Sequence, residues 1–288
     1  MNPKNVLRYL PTLAIFVLAI IVAILLWRHY MDSPWTRDGR IKANVISIAP
    51  DVSGLVVDVA VKDNQFVHKG DLLFRIDPAR YKLALTQSEA TLAGLRTQVS
   101  LRRREAARRA NLAAEVITVE SRDSASTQAD AAVSQYDAAV AARDQAQLNL
   151  DRTEVHAPVD GWITNLEVHA GDYANIGRAA LAIIDSHSFW VYGYFEETKL
   201  PLLKDNDPVE IQLISGPTLK GHVESVTRGI TDRDNTPGQQ LLANVNPTFS
   251  WVRLAQRIPV RIHIDEVPEG VLLASGMTCT VVVKPNRR

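Results

Sequence analysis

Arginines at regular spacing are the residues of this sequence best placed to do chemistry with a partner. Arg253, Arg257 and Arg261 recur every four residues, which puts them on one side of an extended strand. Such a row could dock an acidic protein surface, bind a carboxylate directly, or be an ordinary solvated face of a sheet. Because apolar residues alternate with Arg257 and Arg261 along 257-RIPVRIHI-264, we expect these two arginines on the polar face of the strand.

Motifs of catalysis or metal binding do not occur in the sequence. Its seven histidines are scattered without an HExxH pattern, and no serine stands in a G-x-S-x-G context. The single cysteine, Cys279, excludes a disulfide framework and lies in the apolar run 278-TCTVVV-283, which is typical of a core strand. We therefore expect no catalytic residue, no metal and no cofactor, and we expect that the chain is not an enzyme.

Residues 10–27 form an apolar run that only a Pro-Thr pair interrupts. As a helix the run would span roughly 27 Å, close to the ~30 Å hydrocarbon core of a bilayer. A cleaved signal peptide is the alternative, but the run ends in the bulky 27-WRHYMDSPW-35 rather than in a small-residue cleavage site. Lys4 and Arg8 favour a cytoplasmic N-terminus. We therefore expect an uncleaved single-pass anchor in the cytoplasmic membrane, with the rest of the chain on the far side.

A short β motif occurs twice, as 49-APDVSGLVVDVAVKDNQFVHKG-70 and as 157-APVDGWITNLEVHAGDYANIG-177. Each copy begins with Ala-Pro and has two glycines sixteen residues apart: Gly54 and Gly70 in the first, Gly161 and Gly177 in the second. We expect these glycines at structural turns, with Gly70 and Gly177 at positive φ or in tight packing. Each copy is too small to bury its own apolar face, so the two halves should form one β sandwich.

The residues between the copies are helical in pattern, since 79–152 contain no proline and only one glycine. Apolar residues repeat every seven positions in both halves of this segment: Leu85, Leu92, Val99, Ala106 and Ala113, then Ala125, Ala132, Ala139 and Ala146. A strict heptad indicates a coiled-coil seam, and the β-branched residues within 114–121 favour a turn there. We expect two antiparallel helices in a hairpin of roughly 50 Å.

The two predicted helices have opposite charge. Residues 79–113 hold eight basic and two acidic side chains, whereas 118–152 hold three basic and six acidic ones. Five aspartates on the second helix recur every seven residues: Asp123, Asp130, Asp137, Asp144 and Asp151. The row is either a solvated face or a face that pairs with basic residues, within one protomer or between protomers.

The two half-motifs resemble the halves of a biotinyl/lipoyl domain. A lipoyl or biotinyl carrier has its modified lysine in the turn that joins the halves, and here the helical hairpin replaces that turn. A carrier is therefore only a distant alternative. Together with the anchor and the hairpin, the half-motifs resemble the HlyD family of membrane fusion proteins, which are periplasmic adaptors of efflux and secretion systems.

This resemblance implies a mainly β fold with an N-terminal transmembrane helix, a split lipoyl-like sandwich, an antiparallel coiled-coil hairpin and a C-terminal β-barrel. The strand near 40–49 should join the barrel, and later barrel strands should lie at 208–214, 219–226, 257–264 and 276–283. The implied segments are 1–9 in the cytoplasm, 10–27 as anchor, 28–48 as linker and first barrel strand, 49–78 as the first lipoyl-like half, 79–152 as the hairpin, 153–185 as the second half, 186–284 as the barrel and 285–288 as a tail.

Four segments have a narrower resemblance, to the adaptors of pumps that export aromatic carboxylic acids such as p-hydroxybenzoate: 36-TRDGRIKANVISIAPDVSGLV-56, 188-SFWVYGYFEETKL-200, 251-WVRLAQRIPVRIHID-265 and 276-GMTCTV-281. This resemblance implies an inner-membrane pump of the aromatic acid exporter family, a TolC-like outer-membrane channel and a homo-oligomeric ring. Another drug or a secretion cargo is the alternative, because related adaptors share much of 251–265. A nucleic-acid partner is not expected of a chain with 32 basic and 32 acidic residues.

The resemblance also implies which residues meet the channel. Adaptors of TolC-like channels often carry an Arg, a Leu and a Ser at fixed spacing around the hairpin tip. Arg108 and Leu112 match the first two, but position 119 is valine and the nearest serine is Ser121. We expect Arg108, Leu112 and Ser121 at the channel-facing end. The arginines at 102–104 and 108–109 could bind an acidic rim there, or could form a solvated face.

Overall fold

A computed structural model describes residues 15–24, 34–112, 117–214, 216–230, 255–268 and 270–285. The chain divides into two compact units, Met1–Asn44 with Ser188–Arg288, and Val45–His187. Residues 15–24 are helical. Among the described residues, no helix combines the length and the hydropathy that crossing a membrane requires. The expected anchor, 10–27, extends beyond the described residues at both ends.

The elements follow one another in chain order as α1 (residues 15–24), β1 (Trp35–Lys42), β2 (Val45–Ile48), β3 (Gly54–Val59), β4 (Phe66–Val67), β5 (Leu72–Ile76), α2 (Ala79–Ala110), α3 (Val119–Asp151), β6 (Glu154–His156), β7 (Gly161–Thr164), β8 (Tyr173–Ala174), β9 (Leu181–Asp185), β10 (Trp190–Glu196), a 3₁₀ helix (Glu197–Leu202), β11 (Pro208–Leu213), β12 (Thr218–Val226), β13 (Arg257–Glu266) and β14 (Thr278–Val283). The fold class is mainly β with a barrel and a helical hairpin, as the sequence predicts.

The first unit contains a closed antiparallel barrel in the order β1-β10-β13-β12-β11-β14. Alternate side chains point into it, because successive residues of a strand face opposite sides. Phe195, Ile211 and Ile262 are completely buried in its interior. Cys279 also lies in this core, and desolvation raises the pKa of its thiol to about 11. The lone cysteine is thus a core residue held in its protonated, unreactive form.

The second unit contains a sandwich of two four-stranded sheets, ordered β2-β9-β7-β4 and β6-β5-β3-β8. The two sequence repeats exchange strands within it. Strand β3 of the first repeat pairs with β8 of the second, and β4 of the first repeat pairs with β7 of the second. The interior holds matching residues from both repeats, with Val56 and Ile163 almost completely buried. Neither repeat could bury this core alone.

One expected strand belongs elsewhere. Residues 40–49 were expected to join the barrel as a single strand, but the barrel strand β1 ends at Lys42. Residues 45–48 form β2, which pairs with β9 in the sandwich, with Ile46 opposite Ile183. The prediction was wrong for this segment because a short alternating strand does not reveal its pairing partner. The first half of the sandwich therefore begins at Val45 rather than at residue 49.

The repeated glycines meet two different requirements. Gly70 and Gly177 have φ of 94° and 74°, a left-handed conformation that L side chains rarely adopt. Gly54 and Gly161 lie in strands against close neighbours. A Cβ on Gly54 would lie 2.6 Å from Cγ2 of Ile76, and one on Gly161 would lie 2.1 Å from the backbone oxygen of Ile184. The first glycine of each repeat is therefore needed for packing and the second for a turn.

The helical hairpin is connected to the sandwich through two paired strands. β5 leads into α2, α3 leads into β6, and β5 and β6 are antiparallel neighbours with Arg75 opposite Glu154. The N–H of Ile76 donates to the carbonyl of Thr153 at 2.8 Å, immediately below the helices. The predicted alanine seam is present on α3, where Ala125, Ala132 and Ala139 are buried. The chain thus leaves and re-enters the sandwich at one place.

We expect the sandwich to fold without most of the hairpin. Replacing residues 86–145 by a short helix-helix loop keeps Tyr81, whose hydroxyl donates to the carbonyl of Ser53 at 2.7 Å. Circular dichroism should show a cooperative thermal transition for this shortened chain. Replacing 80–151 instead removes that hydrogen bond and should give a lower Tm. An unfolded 86–145 variant beside a folded parent would contradict the architecture.

The two classes of glycine should differ in cost. Gly70→Ala should destabilise by about 1–2 kcal/mol, because a Cβ is unfavourable at positive φ but meets no atom within 4 Å there. Gly161→Ala should cost more, because its Cβ collides with a backbone carbonyl in the sheet. Urea denaturation of both variants measures the difference. Equal midpoints would refute the distinction between turn and packing.

Candidate functional site

The hairpin tip lies between the end of α2 at Ala110 and the start of α3 at Val119, and residues 113–116 lie outside the described residues. Thr118 caps α3, since its side chain accepts a hydrogen bond from the N–H of Ser121 at 3.3 Å. Arg108 and Arg109 occupy the last turn of α2, where positive charge is favourable. The two helix ends are thus each stabilised locally.

Arginines from both helices hold the tip together. Nη1 of Arg109 donates to the carbonyl of Ser121 at 3.5 Å, and a guanidinium nitrogen of Arg122 donates to the carbonyl of Leu112. About two turns further from the tip, Nη1 of Arg102 donates to Oε1 of Gln128 at 3.1 Å. In each case an arginine on one helix reaches across to the other segment. The tip is therefore a polar, arginine-bridged structure rather than an apolar one.

The structure brings the three expected channel-contact residues to this one end, but in different environments. Arg108 is exposed and Leu112 is 44% exposed. Ser121 is half-buried, and its backbone N–H and carbonyl are both hydrogen-bonded within the tip. Val119, at the position where a serine was expected, is 73% exposed. The exposed surface of the described tip residues therefore includes Arg108 and two apolar side chains, beside polar ones such as Glu120.

Sequence reasoning missed Arg122 as a tip residue. Arg102 and Arg109 are seven residues apart, and Arg122 lies 21 residues before Arg143, so all four occupy heptad positions. All four are half-buried, and Arg102, Arg109 and Arg122 each reach the facing segment. A seam position occupied by arginine in an otherwise alanine-rich heptad was the available signal, because a charged residue there must find a partner on the facing helix.

The aspartate row does not pair with α2. Its five members are exposed along one side of α3, and Asp144 forms an ion pair at 3.0 Å with Arg143 of the same helix. The structure therefore excludes pairing of these aspartates with basic residues of α2 in the same protomer. A solvated face and a face between protomers both agree with this exposure.

The barrel arginines of the sequence analysis are paired with carboxylates. Nη1 of Arg257 lies 2.7 Å from Oδ2 of Asp38, and Nε of Arg261 lies 2.8 Å from Oε2 of Glu224. The hydrogen bond with Glu224 raises the pKa of Arg261. The Arg261 guanidinium also stacks 4.3 Å from the ring of Trp190. These two arginines therefore do not make a net basic surface, and Arg253 lies outside the described residues.

Within the described ranges, no three His, Cys, Asp or Glu side chains are grouped so that they could hold a metal ion.

Residues 44–186 match the family model of the RND membrane fusion protein barrel-sandwich hybrid domain, and residues 188–284 match that of the AAEA-like beta-barrel domain.

The chain is also similar to individual proteins. The Escherichia coli (strain K12) protein YdhJ, itself uncharacterised, is 44% identical over 278 residues, which is 96% of this chain and 98% of YdhJ. The membrane fusion protein Spr0693 from Streptococcus pneumoniae R6 has the same fold at 17% identity, with a TM-score of 0.63 over 87% of this chain and 98% of that one. MacA from Actinobacillus actinomycetemcomitans, at 20% identity, has a TM-score of 0.61 over 87% and 78%.

A strand-exchanged sandwich with an inserted helical hairpin, together with an antiparallel barrel, defines a class of non-enzymatic linker proteins. This chain belongs to the RND membrane fusion protein family. Members of the family are periplasmic, membrane-associated adaptors that serve efflux. The role of this chain is accordingly that of a structural linker.

Charge reversal at the tip should abolish this role while the protein still folds. Arg108→Glu reverses an exposed charge beside Leu112 and should prevent export from cells. The tip should stay folded, because its described hydrogen bonds between the helices come from other arginines. Arg96→Glu is the matched control, since Arg96 is also exposed on α2 but lies roughly 18 Å further from the tip. Both proteins should reach the membrane in equal amounts. Export by the Arg108 variant at the level of the Arg96 variant would exclude the tip from the mechanism.

Proposed function

We propose that the protein links an inner-membrane exporter to a TolC-like outer-membrane channel, as one subunit of a ring of adaptors. The observation that carries this proposal is the hairpin. Its helices of 32 and 33 residues extend about 50 Å from a small sandwich and end in an arginine-bridged tip. Such an arm suits contact with a distant partner.

The proposal includes a membrane anchor at residues 10–27. Its support is the apolar run in the sequence, the basic residues before it and the absence of a cleavage site after it. The first barrel strand begins at Trp35, only eight positions beyond Trp27, where the run ends. The barrel would then lie close to the inner membrane, in reach of an inner-membrane pump.

A ring is supported by two apolar pairs on the outer faces of the sandwich. Leu55 and Tyr173 are cross-strand partners on one sheet and are 47% and 58% exposed. Phe66 and Trp162 are cross-strand partners on the other sheet, with ring centroids 5.2 Å apart. The repeat thus gives each sandwich two similar apolar patches on opposite sides. If the patch on one sheet of a sandwich contacts the patch on the other sheet of the next protomer, the contact repeats head to tail. An interface of this kind can close into a ring.

The carrier alternative has little support. In a carrier the turn joining the two halves presents a lysine for modification. In this chain the helices of the hairpin stand between the halves, and β5 and β6 pair at their base. Intact-mass measurement distinguishes the two functions, because a carrier would gain the mass of a lipoyl or biotinyl group.

The cargo we propose is aromatic carboxylic acids such as p-hydroxybenzoate, exported by a pump of the aromatic acid exporter family. Its support is the narrower resemblance of the four sequence segments and the match of residues 188–284 to an AAEA-like barrel. Selectivity would belong to the pump, since the barrel arginines Arg257 and Arg261 already have carboxylate partners. Another drug or a secretion cargo is the alternative.

The ring makes a prediction about both apolar patches. Tyr173→Glu and Phe66→Glu should each reduce cross-linked oligomers in membranes, because both patches take part in a head-to-tail contact. Leu272→Glu is the control, since Leu272 is 79% exposed on the barrel and lies in neither patch. Thermal unfolding verifies that each variant is folded. Loss of oligomers from only one of the two patch variants would indicate a twofold interface instead.

The cargo is tested in cells. Deletion of the gene should sensitise the cells to hydroxybenzoates, and the wild-type gene should restore tolerance, whereas the Arg108→Glu form should not. Sensitivity of the deletion strain to unrelated drugs with normal tolerance of hydroxybenzoates would overturn the cargo and leave the adaptor function in place.

A further inference from the structure

One end of the barrel gathers aromatic, apolar and cationic side chains. β1 begins there with Trp35, which lies opposite Val282 near the end of β14. The 3₁₀ helix that follows β10 is at the same end, and it carries Lys199 and Leu202. All of these residues belong to the first unit of the chain.

Trp35 is the centre of this group. The guanidinium carbon of Arg37 lies 5.3 Å from the indole centroid, and Nζ of Lys199 lies 5.4 Å from it. Nζ of Lys199 also donates to the carbonyl of Trp35 at 3.5 Å. An indole flanked by two long cationic side chains is suited to a bilayer interface, where the ring takes the headgroup level and the cations reach phosphates.

Apolar side chains extend the same rim. Leu202, the last residue of the 3₁₀ helix, is 40% exposed, and Ile230, beyond the end of β12, is 44% exposed. At this end, Leu200, Val226 and Ile258 line an open groove of about 830 Å³ that Lys204, Asp205 and Arg228 border. Exposed apolar groups next to cations fit the boundary between headgroups and acyl chains.

The length of chain before β1 limits where a membrane could be. Only residues 28–34 separate the apolar run from Trp35, and seven residues reach at most roughly 25 Å. A bilayer that holds residues 10–27 would therefore face this end of the barrel rather than the end that carries Leu272, in the loop between β13 and β14.

Charge alone would not hold the rim on a membrane. Glu196 and Glu197 are exposed at the same end and offset part of the positive charge. The attraction would come mainly from burial of Trp35 and Leu202, which are apolar contacts that salt does not screen.

From this arrangement we infer that the rim made by Trp35, Lys199, Leu202 and Ile230 rests on the outer surface of the inner membrane, with Leu202 inserted at the level of the headgroups. This inference rests on the anchor of the proposed function. The barrel would then have a fixed height and tilt on the bilayer before any partner binds.

The test uses the full-length protein in nanodiscs of phosphatidylethanolamine and phosphatidylglycerol. A nitroxide is attached at Leu202→Cys or, as the matched control, at Leu272→Cys on the opposite end of the same barrel. The native Cys279 stays unlabelled because it is buried. Circular dichroism verifies that both labelled chains are folded.

Power saturation should show several-fold lower access of a water-soluble nickel chelate to the label at residue 202 than to the label at 272, and higher access of oxygen, which concentrates in lipid. The difference should persist at high salt. Equal access at the two positions, in protein that stays with the nanodisc after an alkaline wash, would overturn the inference and leave the anchor intact.

Two further outcomes separate the possible causes. Protection of residue 202 in native membranes but not in nanodiscs would identify a protein as the occupant of the rim, and would overturn a lipid contact. Release of the protein from the nanodisc in the alkaline wash would overturn the anchor itself, and the rim inference with it.

Discussion

The structure of the second unit depends on an exchange of strands between the two sequence repeats. β3 of the first repeat pairs with β8 of the second, and β7 of the second pairs with β4 of the first. The chain before the hairpin supplies two strands of each sheet and the chain after it supplies the other two, so neither sheet can form until both sides of the hairpin have been made. The core residues Val56 and Ile163 are buried only in the combined structure.

This exchange would lower the free energy of unfolding if the intervening chain were a flexible loop, because closing a long loop loses conformational entropy. The antiparallel helices remove most of that cost, since they return the chain to its starting point as a rigid element. The hydrogen bond from Ile76 to Thr153 and the pairing of Arg75 with Glu154 then continue the sheet directly below the helices. The hairpin is thus compatible with the sandwich because it begins and ends on adjacent strands.

The features that sequence could predict were those repeated along the chain. Glycine spacing predicted the sandwich, and the heptads predicted the hairpin. The features it could not predict depend on contacts between distant positions. The partner of 45–48 is a strand more than 130 residues away, and the ion pair of Arg257 with Asp38 joins residues 219 positions apart. Neither partner can be identified from local composition, because a surface carboxylate or a short apolar strand occurs in many places.

The seam of the hairpin changes character along its length. Near the base it is filled by half-buried apolar residues such as Leu85 and Leu150, whereas near the tip Arg102, Arg109 and Arg122 reach across the helices. Each such hydrogen bond contributes only about 0.5–1.5 kcal/mol, because water competes for the same groups.

The last turns at the tip should therefore open more readily than the base, since elements held by exposed polar contacts have the lowest local stability. An arm of this kind is stiff over most of its length. At its end, Arg109 and Arg122 could each exchange a backbone carbonyl of their own chain for an acceptor on the proposed partner. The exposed Leu112 and Val119 would then be buried in that contact, and their burial would favour the exchange.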